Sequence, residues 1–114
     1  RPDFVNISRF YPRPKTEAAR LRPLSDEVVN RRSRALTEVC SRISRERMKE
    51  WIGWEGLALV DEVGPRDEAI ARNIDYRPIA VPGTDGRSLL GKWVEVQVTG
   101  AKTFCLIGEL KGVL

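Results

Sequence analysis

Residues 1–50 carry 13 of the chain's 20 Lys and Arg residues, and 11 of those 13 are arginine. Arginine's planar, permanently charged fork matches the oxygen edge of a phosphate or carboxylate. Seven acidic residues oppose them, leaving +6 on this half, whereas residues 51–114 carry seven cations against nine acids, or −2. The chemistry this distribution suits is the grip of a polyanion, nucleic acid first. Arg31, Arg34, Arg42 and Arg45 recur at spacings that return to one side of an α-helix, with Lys49 continuing the row. Glu38 lies four residues from both Arg34 and Arg42, so the same row also reads as a self-neutralising, solvated helix face.

The remaining composition points away from catalysis. With no histidine, imidazole acid–base chemistry and Ser-His or Cys-His nucleophile pairs are excluded, as are most zinc sites. Cys40 and Cys105 are too few for a cysteine-only metal cluster, and they read as free thiols packed inside a protein of a reducing, cytoplasmic compartment. No segment is apolar for long enough to cross a bilayer, so no membrane partner is expected. The chain begins at Arg1 without a charged-then-apolar leader, as if cut from something longer.

These side chains need a scaffold, and 114 residues suffice for one small domain and an ordered arm. Prolines at 2, 12, 14 and 23 keep residues 1–24 from forming a continuous helix, and Phe4–Ser8 alternates like a short strand. Ser25 followed by Asp26 and Glu27 signals a helix start, and the helical period runs to about Glu50. Val29, Leu36, Val39, Cys40 and Ile43 form its apolar side, with the basic row behind. Beyond Trp54 the period becomes two. Glu55–Glu62, Glu68–Asn73, Arg77–Val81, Trp93–Thr99 and Thr103–Glu109 read as strands separated by Gly-rich or polar turns. The expected fold is mainly β with one long helix: a five-stranded, oligonucleotide-binding-like barrel preceded by an amphipathic basic helix and an extended arm. A sandwich is the alternative.

Two blocks carry a resemblance. Phe10-Tyr11-Pro12-Arg13-Pro14-Lys15-Thr16-Glu17-Ala18-Ala19 resembles the Tyr-x-Arg-Pro-Gly-Thr-x-Ala-Ala segment that closes the radical-SAM barrel of tRNA methylthiotransferases, with Lys15 in place of the usual glycine. Arg72-Asn73-Ile74-Asp75-Tyr76-Arg77-Pro78-Ile79-Ala80-Val81, then Leu90-Gly91, Val94-Glu95-Val96 and Leu106-Ile107-Gly108-Glu109, resembles the TRAM domains attached to the archaeal branch of that family. The resemblance implies a division into the end of the radical-SAM barrel or an extended arm at 1–24, a basic linker helix at 25–50 and a TRAM barrel at 51–114. It implies a parent enzyme that converts N6-threonylcarbamoyladenosine beside the tRNA anticodon to its 2-methylthio derivative, using two iron–sulfur clusters and S-adenosylmethionine. No Cys-x-x-x-Cys-x-x-Cys stands in this chain, so it is expected to hold no cofactor and to be inactive alone. Its expected partners are the anticodon region of tRNA and the radical-SAM and cluster domains of the same parent. A stand-alone TRAM-type RNA-binding or RNA-chaperone protein is the competing reading, and it has no use for Phe4–Ala19.

On a TRAM-like barrel the working residues should divide into phosphate contacts and base-stacking faces. Arg72, Arg77, Lys92 and Lys102 are the expected phosphate contacts, and Asn73 the expected partner of a ribose hydroxyl or base edge. Tyr76, between Arg72 and Arg77, is the expected stacking ring, against the plainer reading of a turn residue packed on Pro78. Arg13 is placed by the resemblance where cofactor and tRNA meet. Trp51, Trp54 and Trp93 are expected to plug the barrel ends or cover the helix junction, and Lys15 is expected to disturb its turn.

Overall fold

A computed structural model describes all of residues 1–114. Ser25 caps the long helix α1 (Asp26–Lys49), its Oγ accepting the Val28 N–H at 3.4 Å. Asp26 and Glu27 meet the positive end of the helix dipole and Arg47 and Lys49 the negative end. Five strands follow: β1 (Glu55–Val63), β2 (Ala69–Arg72), β3 (Pro78–Val81), β4 (Trp93–Ala101) and β5 (Leu106–Val113). They close into a barrel in the order β1-β2-β3-β5-β4. Every neighbouring pair is antiparallel except β3 with β5, where Ile79 faces Leu106 in parallel register.

Alternation decides what fills the barrel. Val94, Val96 and Val98 of β4 point inward and join Ala58, Val60, Ala71, Ile79, Val81 and Leu106 in one buried cluster, to which α1 contributes only Met48. Trp51 and Trp54 cover this core at the helix junction, edge to face at 6.2 Å. Trp93 does not: it is the odd member of the Val94-Val96-Val98 series, so it faces outward and is 50% exposed. Cys40 and Cys105 are half-buried rather than enclosed, and burial pushes the Cys105 thiol up.

Three other expectations need correction. Residues 4–8 form no strand, because no sheet edge lies beside them; the arm instead runs back along α1, with Arg1 paired to Glu46 and Arg9 to Asn30. β5 starts three residues later than expected. The apolar Phe104-Cys105 run belongs to the β4–β5 turn, closed by the Lys102 N–H donating to the Cys105 carbonyl at 2.7 Å. Within β5, Gly108 lies flush against its neighbours, where an added Cβ would stand 2.8 Å from Ile79 Cγ2 and 3.0 Å from the Gln97 carbonyl oxygen. The Pro82–Gly86 loop also leads into an unanticipated short helix, α2 (Gly86–Leu89), capped by Asp85 Oδ1 on the Arg87 N–H at 3.1 Å.

Only the end of α1 meets the barrel. Ser44 and Met48 are its buried residues, whereas Leu36 and Val39, on the expected apolar side, are exposed. The molecule is accordingly long, 56 × 28 × 24 Å. Its radius of gyration is 18.7 Å, against about 13 Å for a compact chain of this length.

Candidate nucleic-acid interface

The β2–β3 connection runs from Asn73 to Arg77, and these two residues, joined by the Asn73 N–H on the Arg77 carbonyl at 3.3 Å, bracket a three-residue turn, Ile74-Asp75-Tyr76. Asn73 builds it: Asn73 Oδ1 accepts the Asp75 N–H at 3.1 Å and the Arg77 N–H at 2.9 Å, while its carbonyl accepts the Tyr76 N–H at 2.9 Å. Asn73 is 5% exposed, which corrects its expected role. It is a buried brace for the loop and offers no edge to a ribose or base. The last residue of such a loop commonly takes a left-handed backbone, a place for glycine. Tyr76 takes it, at φ 62°. A bulky residue there is a costly outlier, and the conformation leaves the ring 73% exposed. The ring is thus a turn residue, as the plainer reading has it, but mostly open to solvent rather than enclosed. Ile74, 92% exposed, shares the loop tip; sequence reading missed it, although an isoleucine between two turn-bounded strands was a signal.

The two arginines beside this ring are already engaged. Arg72 lies 4.6 Å over the Tyr76 ring and donates through Nε to Asp61 Oδ2 at 2.9 Å, with Glu62 3.6 Å away. It fixes the ring's inner face, and its charge is locally balanced. Arg77 turns to the opposite side, over Trp51 at 5.9 Å, and pairs with Asp3 of the arm. Asp3 also pairs with Arg47 of α1, so one carboxylate ties arm, helix and barrel together. The Arg47 hydrogen bond, aided by the charge of Arg77, holds the Asp3 carboxyl below its usual range against the opposing effect of burial. Neither Arg72 nor Arg77 is thus the free phosphate contact expected of it. Asp3 and Arg47 were not singled out, since nothing in their local sequence marks a contact made across 44 positions.

Elsewhere the cations are free. Arg31, Arg34, Arg42 and Arg45 are exposed and form no ion pair within 4 Å, and Glu38 pairs with none of them. The row is thus tied up in no direct ion pair, although Glu38 lies on the same face as Arg34. Arg31 and Arg34 share an open face of α1 with Asn30, Ala35 and the carboxylates Glu27 and Glu38. Lys92, in the turn before β4, and Lys102, in the β4–β5 turn, are likewise exposed and unpaired. Arg13 is exposed in the arm, where its carbonyl accepts the Thr16 hydroxyl at 2.7 Å. Lys15 keeps the left-handed turn, at φ 65°, that a glycine would occupy more easily.

The arrangement provides a row of unpaired guanidiniums, a displayed aromatic ring and two flanking ammonium groups, a set for phosphate contact and base stacking. It provides no metal centre: no three ligand-type side chains converge, and the two cysteines lie on separate elements, so these residues do not fit an iron–sulfur cluster. No helix is long and apolar enough to cross a membrane.

The chain is 36% identical over 96% of its length to a probable threonylcarbamoyladenosine tRNA methylthiotransferase of Archaeoglobus fulgidus, and covers 25% of that protein. A ribosomal protein uS12 methylthiotransferase of Roseiflexus castenholzii is 32% identical over 98% of the chain, again 25% of the relative. The threonylcarbamoyladenosine tRNA methylthiotransferase of Drosophila melanogaster is 31% identical over 91% of the chain and 18% of the relative. The chain therefore spans about a quarter or less of the curated relatives it matches. The solution structure of a conserved protein of Methanococcus maripaludis aligns with 53% of the chain and 79% of its own, at 27% identity and a TM-score of 0.44. The TRAM domain model matches residues 52–111, the stretch from the helix junction into β5, and the chain belongs to the TRAM domain family.

Proposed function

We propose that this chain is the tRNA-gripping part of a methylthiotransferase whose reaction is carried out by domains outside it. The observation that carries the reading is the row Arg31, Arg34, Arg42 and Arg45 standing free of carboxylates. A row of free guanidiniums on a helix that projects from the barrel suits successive phosphates of a folded RNA. Tyr76, backed by Arg72, stacks an unpaired base such as those of an anticodon loop. The parent reaction we assign is methylthiolation of N6-threonylcarbamoyladenosine beside the anticodon, in the cytoplasm. It accords with the archaeal and insect relatives named above; the uS12-directed relative is why recognition must be tested with RNA itself. Iron–sulfur clusters and S-adenosylmethionine belong, on this reading, to the radical-SAM and cluster domains of the parent.

Titration of an unmodified tRNA transcript at several salt concentrations tests the proposal. Log K should fall linearly with log salt, by about 0.7–0.9 per phosphate engaged. An affinity indifferent to salt would sink it.

A further inference from the structure

The contact between Asp3 and two arginines sets one acid against two cations. Two guanidiniums from different elements converge on one carboxylate, Arg47 of α1 on Oδ1 and Arg77 of the barrel on Oδ2. Donors outnumber acceptors. Arg77 Nε is buried without a partner, as is Nδ2 of Asn73, the residue whose Oδ1 holds the Arg77 amide. Two guanidiniums around one carboxylate leave a net positive charge, which a phosphate, with more oxygens and more charge, meets more fully.

The arm that brings Asp3 here is lightly held. Residues 1–15 make no backbone–backbone hydrogen bond. Their other ties are the exposed Arg1–Glu46 pair, the Arg9–Asn30 contact, the partial burial of Val5 and Ile7, and an edge-to-face meeting of Phe4 with Phe104 at 5.7 Å, both rings more than half exposed. Nothing in that set resembles the ladder that would fix a strand.

We propose that Arg47, Arg77 and the Trp51 face form a phosphate site of the RNA interface which the arm closes with the Asp3 carboxylate, so that the RNA backbone and the arm compete for it. The inference rests on the RNA-binding reading above and adds to it an autoinhibitory contact. With the arm docked, the barrel's most enclosed guanidinium is hidden from RNA. With the arm lifted, Arg77 joins the exposed stripe.

The test compares Asp3→Asn, close in shape to the native residue, with the unaltered chain for binding of an unmodified tRNA transcript. Asp3→Asn should bind about three- to tenfold more tightly at low salt. Its log K against log salt should steepen by one to two contacts, about 0.7–0.9 each. Adding Arg77→Gln should erase the gain. Glu17→Gln, which removes an arm carboxylate that pairs with no cation, controls for net charge and should give a clearly smaller gain. Asp3→Asn binding no more tightly than Glu17→Gln overturns the proposal, as does a gain that survives Arg77→Gln. Failure of the unaltered chain and of Asp3→Asn alike to bind tRNA overturns the RNA reading instead, and inorganic phosphate then decides the site. Saturable shifts of the Arg47 and Arg77 Nε–H resonances in Asp3→Asn, absent with Arg77→Gln, uphold a phosphate site; no shift overturns it.

Discussion

The arginines of α1 and those around the β2–β3 turn are the same side chain in two electrostatic states. Arg31, Arg34, Arg42 and Arg45 stand on a helix that touches the barrel only at its end, and no carboxylate lies within 4 Å of them. Arg72 and Arg77 belong to a closed barrel and are each held by carboxylates and by an aromatic face. The first group has charge to offer an incoming anion at once. The second spends its charge on architecture, displaying Tyr76 on one side of the turn and fastening the arm on the other. The basic charge of this molecule is therefore divided between attraction and positioning, and net charge does not distinguish the two.

Replacing Arg31, Arg34, Arg42 and Arg45 together with glutamine should have the largest effect on binding. Affinity for tRNA should drop about a hundredfold at 50 mM salt and the salt slope should fall by about three, the sum of four phosphate contacts. The thermal midpoint should not move, because none of the four supports another group. Unchanged affinity would make these arginines solvated surface, and a drop in the thermal midpoint would place them in the architectural class of Arg72.

Tyr76 comes next and divides stacking from structure. Tyr76→Ala should cost about 1–3 kcal/mol of RNA binding, and Tyr76→Phe should bind nearly normally. Tyr76→Gly should lose the same affinity while the fold gains up to about 1 kcal/mol in urea unfolding, since glycine accepts the left-handed backbone without strain. A destabilised glycine variant would show that the ring holds the loop.

Acid should loosen the tied group and leave the free one alone. Because the folded-state carboxyl of Asp3 titrates below its ordinary value, its contribution to arm docking is complete above the usual carboxylate range. It is lost as pH falls through the lowered value. Trp51 fluorescence should report arm release in that acid window, and Asp3→Asn should show no such step. The smallest effect belongs to Lys15→Gly, worth up to about 1 kcal/mol for the turn at φ 65°. It should sharpen arm resonances without altering the barrel.

The fold was largely legible because its signals are local. Ser25-Asp26-Glu27 marks a helix start wherever it stands, and Val94-Val96-Val98 can only be a strand with one wet face. The β5 boundary was misread because Phe104-Cys105-Leu106-Ile107 has no period to show where a turn ends and a strand begins. α2 escaped because four residues hold barely one helical turn. At the site, the exposure of Tyr76 followed from its place between two strands. The engagement of Arg77 did not, since its partner stands 74 residues earlier in an arm with no regular structure. What a cation is paired with is a tertiary fact, and the residues around it in sequence carry no trace of it.

Helix α1 also sets a scale. From Arg31 to Arg45 the axis rises about 21 Å, at 1.5 Å per residue. A strand of duplex DNA advances about 3.4 Å per nucleotide along its axis, and the A-form helix of RNA advances less, so the row spans at least about six nucleotides. Fragments shorter than that can reach one end of the row or the other but not both. On the proposed reading the rod is a gauge of substrate length, its full grip reserved for RNA with at least half a turn of continuous, stiff helix to lay against it.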